Sequence, residues 1–317
     1  MARVFVTRQL PGPALRRLQA IHEVSVWPGR MPPPREVLQA EAWRSDGLLT
    51  LLNDRVDARL IDSAPSLVAI SNYAVGVDNI DLAAASRRGI PVGHTPDVLT
   101  DATADLAFAL LLAAARKLPE AIAGAREDWI TWEPRAFLGA QVYGATLGII
   151  GFGRIGRAVA RRAEGFHMKV VSTERAGDAV TGLERVLRAA DFISLHCPLT
   201  PETHHLIDRD AFARMKPTTI LINTARGPII DTDALGEALR AGRIAAAALD
   251  VTDPEPLPAD HQLWSAPNLL IVPHIGSATR AARERMSDLA VENLVAALDG
   301  RPMPFQANRD ESAAAAG

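Results

Sequence analysis

The chain has 317 residues, 34 basic and 37 acidic, a formal net charge of -3, 48% hydrophobic residues and a single cysteine. Its length exceeds what one core usually fills and argues for two domains. The near balance of charge leaves no global attraction for nucleic acid or anionic lipid, one thiol excludes an internal disulfide and a multi-thiolate metal site, and the apolar runs are too short or interrupted to span a bilayer.

The opening MARVFVTRQLPG has only a brief apolar run ahead of helix breakers and does not fit a secretory leader, so a soluble cytoplasmic protein is expected. The first third then alternates short apolar runs (RVFVTR, VSVWPG, GLLTLL, LVAISNYAVG, GIPVGHTP) with helical patterns such as PALRRLQAI and PREVLQAEAW. Strands of this length separated by helices predict a parallel, helix-covered sheet. From Asp97 the segment DVLTDATADLAFALLLAAARKLPEAI reads as one long helix capped by Asp97 or Thr100, apolar enough to lie between layers or subunits.

After the turn DWITWEPRAFLG come six strand candidates: LGIIG, KVVST, FISLHCP, TILINTARG, AAAALDVTDPEP and LLIVPHIGS. Helical segments such as RDAFARMK and DTDALGEALRAG separate the last four, the alternation of a doubly wound sheet. The last amphipathic segment, TRAARERMSDLAVENLVAALDG, has no further strand to serve and is expected to pack back on the N-terminal domain. The predicted α/β fold therefore has two parallel-sheet domains: a Rossmann-type dinucleotide-binding domain over 99–284, and a discontinuous, flavodoxin-like substrate domain over 1–98 and 285–317.

Gly151, Gly153 and Gly156 form GFGRIG between a strand and a helix. The first glycine permits the tight turn, the second lets backbone approach a pyrophosphate, and the third allows close helix packing, with phosphate facing the helix N-terminus. Arg154 is placed to approach phosphate, whereas Arg157 reads as solvent-exposed. Glu174 ends the next strand at the spacing of the acid that accepts from an adenosine ribose, and Arg175 follows it. The acid favours NAD(H), while the base keeps NADP(H) open.

Three polar residues follow apolar strands: Arg226, Glu255 and His274. In a doubly wound sheet such positions converge on the ligand edge. Arg226 offers a fork for a carboxylate, Glu255 between Pro254 and Pro256 can orient an imidazole, and His274 can exchange a proton near neutral pH. Together they suit hydride transfer at a carbonyl, with protonated His274 serving the nascent alkoxide. The neighbours His204 and His205 have poor spacing for a metal, and none is expected; nothing marks Cys197 as an activated thiolate.

The stretches NYAVGVDNID, HTPDVLTDATADLAFALLL, LGIIGFGRIG, HCPLTPET, NTARGPIID, ALDVTDPEP and PHIGSAT make the chain resemble the D-2-hydroxyacid dehydrogenases over nearly its full length, within them the glyoxylate/hydroxypyruvate reductases. That resemblance implies reduction of glyoxylate to glycolate and of hydroxypyruvate to D-glycerate, with Arg226, Glu255 and His274 catalytic. It assigns the substrate to Val75, Gly76, Trp132 and Arg226. On the cofactor side it sets Thr103, Phe152, Ile155, Cys197, Pro198, Thr203, Thr224, Ala225, Asp250, His274 and Gly276, beside the glycine loop. It also implies a homodimer in which Trp132 reaches the partner's active site while Trp129 packs the loop. One departure stands out: only AGDAVTG separates Arg175 from the helix LERVLRAAD, where family members usually carry another short helix and strand. Two further readings are a 3-phosphoglycerate dehydrogenase, which the Trp loop disfavours, and a dinucleotide-sensing corepressor, which would not need the complete catalytic set.

Overall fold

The protein is described by a computed structural model over residues 1–127, 129–173 and 179–309. It divides into two units, one of Met1–Leu99 with the chain from Ala278 onward, the other of Thr100–Ser277.

In the first unit the apolar runs become β1 (Arg3–Val6), β2 (Glu23–Val26), β3 (Gly47–Thr50), β4 (Ala69–Asn72) and β5 (Val92–Gly93), all parallel in the order β2-β1-β3-β4-β5. Strands β3 and β4 are buried at every residue, as strands covered on both faces must be, which is why they read as continuous apolar runs. The connecting helices are α1 (Ala14–Ile21), α2 (Arg35–Arg44), α3 (Ala58–Asp62) and α4 (Leu82–Arg87). The last two are too short to show a helical period and start where Asp57 and Asp81 accept the amides of Leu60 and Ala84.

The chain re-enters this unit with the helix Arg280–Leu298, numbered α11 in chain order. Its Ala290 carbonyl accepts from Ser71 Oγ (2.8 Å) and its Arg283 carbonyl from Tyr73 Oη (2.8 Å). A boundary at residue 285 would cut this helix. Thr279 Oγ1 caps it by accepting from Ala282 N (3.1 Å), and Ala282 and Met286 are buried, so the whole helix belongs with the first unit.

The second unit runs α5 (Thr100–Ala115), α6 (Leu118–Glu127), β6 (Thr146–Ile150), α7 (Arg154–Glu164), β7 (Lys169–Ser172), α8 (Ala179–Ala189), β8 (Phe192–Leu195), α9 (Arg209–Arg214), β9 (Ile220–Asn223), α10 (Thr232–Arg240), β10 (Ala246–Leu249) and β11 (Leu269–Ile271). Its six parallel strands lie in the order β11-β10-β9-β8-β6-β7, with apolar clusters on both faces. The order reverses beside β6, and that switch point opens the crevice where such sheets take ligands. Among the described residues β7 and β11 form the two edges of this sheet.

The single helix expected from Asp97 is two. Pro119 cannot donate a backbone hydrogen bond, Lys117 turns through φ 51°, and the Ala115 carbonyl accepts instead from Ala140 N (2.8 Å). Helix α6 then buries none of its residues within the chain. No helix among the described residues is long and apolar enough to cross a membrane.

Candidate active site

The turn from β6 into α7 is built on glycine for steric reasons. Gly151 has φ 93°, and a Cβ there would stand 2.3 Å from the Cys197 amide nitrogen; one on Gly156 would stand 2.3 Å from the Gly151 carbonyl oxygen. A Cβ on Gly153 would meet nothing within 4 Å, so open space faces the loop at the point where the N-terminus of α7 begins. Backbone amides beside an open, dipole-positive helix end fit a pyrophosphate. Thr173 Oγ1 accepts from Gly151 N (3.0 Å), Phe152 is half-buried under the Arg157 guanidinium at 5.7 Å, and Arg157 itself is exposed. Glu174 and Arg175 lie outside the described residues.

At the C-terminal ends of β10 and β11 a second cluster assembles. His274 Nδ1 and Glu255 Oε1 are 2.6 Å apart, which assigns the Nδ1 proton to this bond and leaves Nε2 as the exchangeable position. His274 sits at φ 52°, its amide donating to the Asp250 carbonyl (2.9 Å). The Asp250 carboxylate holds the next two residues, accepting from Ile275 N (2.6 Å) and Gly276 N (2.8 Å). Asp250 is 2% exposed; burial raises its pKa, against the lowering effect of those amides and of nearby His274. Thr103 is buried beside Gly276: a Cβ on that glycine would reach the Thr103 side chain at 3.4 Å. The peptide bonds Asp253–Pro254 and Glu255–Pro256 are both cis.

Arg226 follows β9, held by a residue the motif reading passed over. Buried Asn223 accepts from Ala225 N (2.9 Å) and donates to the Arg226 carbonyl (2.9 Å), fixing the peptide between them. The Ala225 carbonyl on that peptide accepts from Arg226 Nη1 (2.8 Å). A Cβ on Gly227 would stand 1.9 Å from the Thr252 carbonyl oxygen, so the arginine turn rests directly on the loop leading to Glu255. Arginine fork, imidazole and orienting carboxylate thus come from successive strand ends of one sheet.

The family model for the D-isomer specific 2-hydroxyacid dehydrogenase NAD-binding domain matches residues 108–276. A glyoxylate reductase of Thermococcus litoralis is 47% identical over 97% of each chain. The chain is a member of the D-2-hydroxyacid dehydrogenase family. Among solved structures, a protein of Thermus thermophilus superposes with a TM-score of 0.91 at 51% identity over 96% of this chain and 99% of that one. The NADPH-dependent glyoxylate/hydroxypyruvate reductase of Sinorhizobium meliloti, crystallised with NADP and malonate, gives a TM-score of 0.85 at 32% identity over 96% and 97%.

The other positions expected of a dehydrogenase divide by what their side chains do. Cys197 adjoins the glycine loop and burial pushes its thiol up to about 11, which suits a lining residue rather than a nucleophile. Thr224 lies beside His196, whose ring also meets Ser194 Oγ at 2.8 Å; burial pushes that imidazole down to about 3, so it is neutral. Sequence reasoning missed His196, for which strand-end position was the available signal. Thr203 accepts from Thr200 N (2.8 Å) and donates to the Pro198 carbonyl (2.6 Å), closing the turn after β8, while Ile155 is half-buried in the first turn of α7. Val75 and Gly76 lie on the loop after β4 in the first unit. Trp132 is 79% exposed, and Trp129, expected to pack the loop, is 75% exposed. Among the described residues no group of three His, Cys, Asp or Glu side chains stands close enough to hold a metal.

Proposed function

We propose that this dehydrogenase reduces glyoxylate to glycolate and hydroxypyruvate to D-glycerate. The observation that carries the reading is the 2.6 Å pairing of His274 with Glu255 at the ligand edge of the NAD-binding sheet. When bound, the reduced nicotinamide supplies the hydride; the glycine loop, Arg154, Thr103, Asp250 and Gly276 are the residues to hold the dinucleotide. Arg226 takes the substrate carboxylate with its planar fork and polarises the carbonyl. Glu255, on Nδ1, orients the ring, and the protonated imidazole delivers its Nε2 proton to the alkoxide as the carbon is reduced. In the oxidation direction neutral His274 takes that proton back.

Val75 and Gly76 are assigned to the substrate carboxylate through their backbone. The exposed apolar residues of α6 and the following loop, Leu118, Ile122, Trp129 and Trp132, support a homodimer in which this face is covered by a second copy and Trp132 limits substrate size. A free thiol and a soluble reductant suit a cytoplasmic setting. Glu174 favours NAD(H), with NADP(H) as the alternative that Arg175 admits. Steady-state rates with NADH and NADPH against glyoxylate and hydroxypyruvate test the reading: turnover of both 2-oxoacids supports it, and cofactor binding without reduction of either overturns it.

A further inference from the structure

The loop after β4 is held in an unusual way. The Ala74 carbonyl accepts from Thr95 N (2.8 Å), the Val75 carbonyl pairs with His94 Nδ1 (2.9 Å), and the Gly76 carbonyl accepts from Asn72 Nδ2 (2.9 Å). Because Val75 O can only accept, His94 Nδ1 carries the proton. In a trans peptide the N–H points opposite to the C=O of the same plane. Carbonyls 74 and 75 both face the segment His94–Thr95, so the amides of Val75 and Gly76 both face away from it. Among the described residues none accepts from those two amides. Successive outward amides with their carbonyls tied behind form an anion seat.

The ties are themselves braced. Asn293, fully buried on α11, donates to the His94 carbonyl (2.9 Å), and the His94 amide donates to the Phe305 carbonyl (3.2 Å), so the imidazole stands on a fixed backbone. Asn72 is fully buried, its oxygen accepting from Thr50 Oγ1 (3.1 Å) and its nitrogen also donating to Asn79 Oδ1 (3.0 Å). Asn79 in turn donates to the carbonyls of Leu51 (3.0 Å) and Asp54 (2.9 Å).

We propose that His94, with Asn72 behind it, is a positioning residue that turns the amides of Val75 and Gly76 toward the substrate carboxylate. The proposal rests on the assignment of that carboxylate to this loop. Asn72 is enclosed by its hydrogen-bond partners, so its variants risk misfolding; half-buried His94 gives the cleaner test. Asparagine at this position carries an Nδ2–H the same number of bonds from the backbone as the imidazole Nδ1–H, whereas leucine offers no donor.

The test compares His94→Leu and His94→Asn with the wild type in two readouts. In steady-state kinetics, His94→Leu should raise KM for the 2-oxoacid about tenfold, the scale of one hydrogen bond, with KM for the reduced nicotinamide unchanged, and His94→Asn should restore most of it. In 15N-valine- and 15N-glycine-labelled protein, oxalate, a carboxylate that cannot be reduced, should shift the Val75 and Gly76 amide resonances in the wild type and less in His94→Leu. Unchanged KM and unchanged amide shifts in His94→Leu, or equal losses in both variants, would overturn the proposal while leaving the reductase reading intact. If the wild type reduces no 2-oxoacid yet oxalate moves the two amides in a His94-dependent manner, the reductase reading fails and the seat stands.

Discussion

His274 and Arg226 should fail differently when truncated. His274→Ala removes the proton donor and should lower kcat by about 10²–10⁴ with little change in KM, the range for a general acid. Arg226→Ala removes both carboxylate binding and carbonyl polarisation, so KM should rise as kcat falls. Equal small effects on both parameters in either variant would remove these roles. Cys197 offers a check on the cleft's dryness. Burial pushes its thiol up to about 11 from an ordinary 9.0, which leaves about 100-fold less thiolate at pH 8. Iodoacetamide should label it about 100-fold more slowly than a free cysteine, with the rate still climbing above pH 10. Labelling that levels off near pH 9 would contradict the burial.

At the scale of elements, Gly227 joins the arginine turn to the glutamate loop. Gly227→Ala places a methyl 1.9 Å from the Thr252 carbonyl, so one of the two loops must move. A loss of about 1–3 kcal/mol in stability is expected, together with lower turnover, readable from denaturant midpoints and initial rates. Arg226, Glu255 and His274 were legible because each lies shortly after an apolar run that reads as a strand, namely β9, β10 and the edge strand β11. The supports were not: Asn223 differs from any strand-end asparagine only in what it bonds, and His94 acts on a residue 19 positions away. Helices α3 and α4 escaped notice for want of length, and the break between α5 and α6 was visible only as Pro119, whose effect depends on the Ala140 amide taking the Ala115 carbonyl. The alternation of strands and helices, by contrast, is written in burial on both faces of each sheet, which composition alone records.

For the whole molecule, the proposed homodimer rests on the apolar face of α6 and its loop. Ile122 is 55% exposed and Leu118 46%, a cost no isolated subunit needs to carry. Ile122→Glu should shift the sedimentation coefficient from that of a dimer to that of a monomer, and a wild type that sediments as a monomer would remove the homodimer. The corresponding Trp132→Ala change should relax the discrimination between glyoxylate and larger 2-oxoacids, seen as a changed ratio of kcat/KM values.

The return of α11 to the first unit carries a consequence for biosynthesis. The residues that cover β3 and β4, from Leu294 against Gly47 to Ala290 against Ser71, leave the ribosome after the entire second unit has emerged. At synthesis speeds of about 5–20 residues per second, the N-terminal sheet waits on the order of ten seconds or more with one apolar face uncovered. The later-made unit, continuous in the chain, is free to finish first. The order of translation thus permits the second unit to complete its fold before the first, whose sheet stays half covered until α11 emerges.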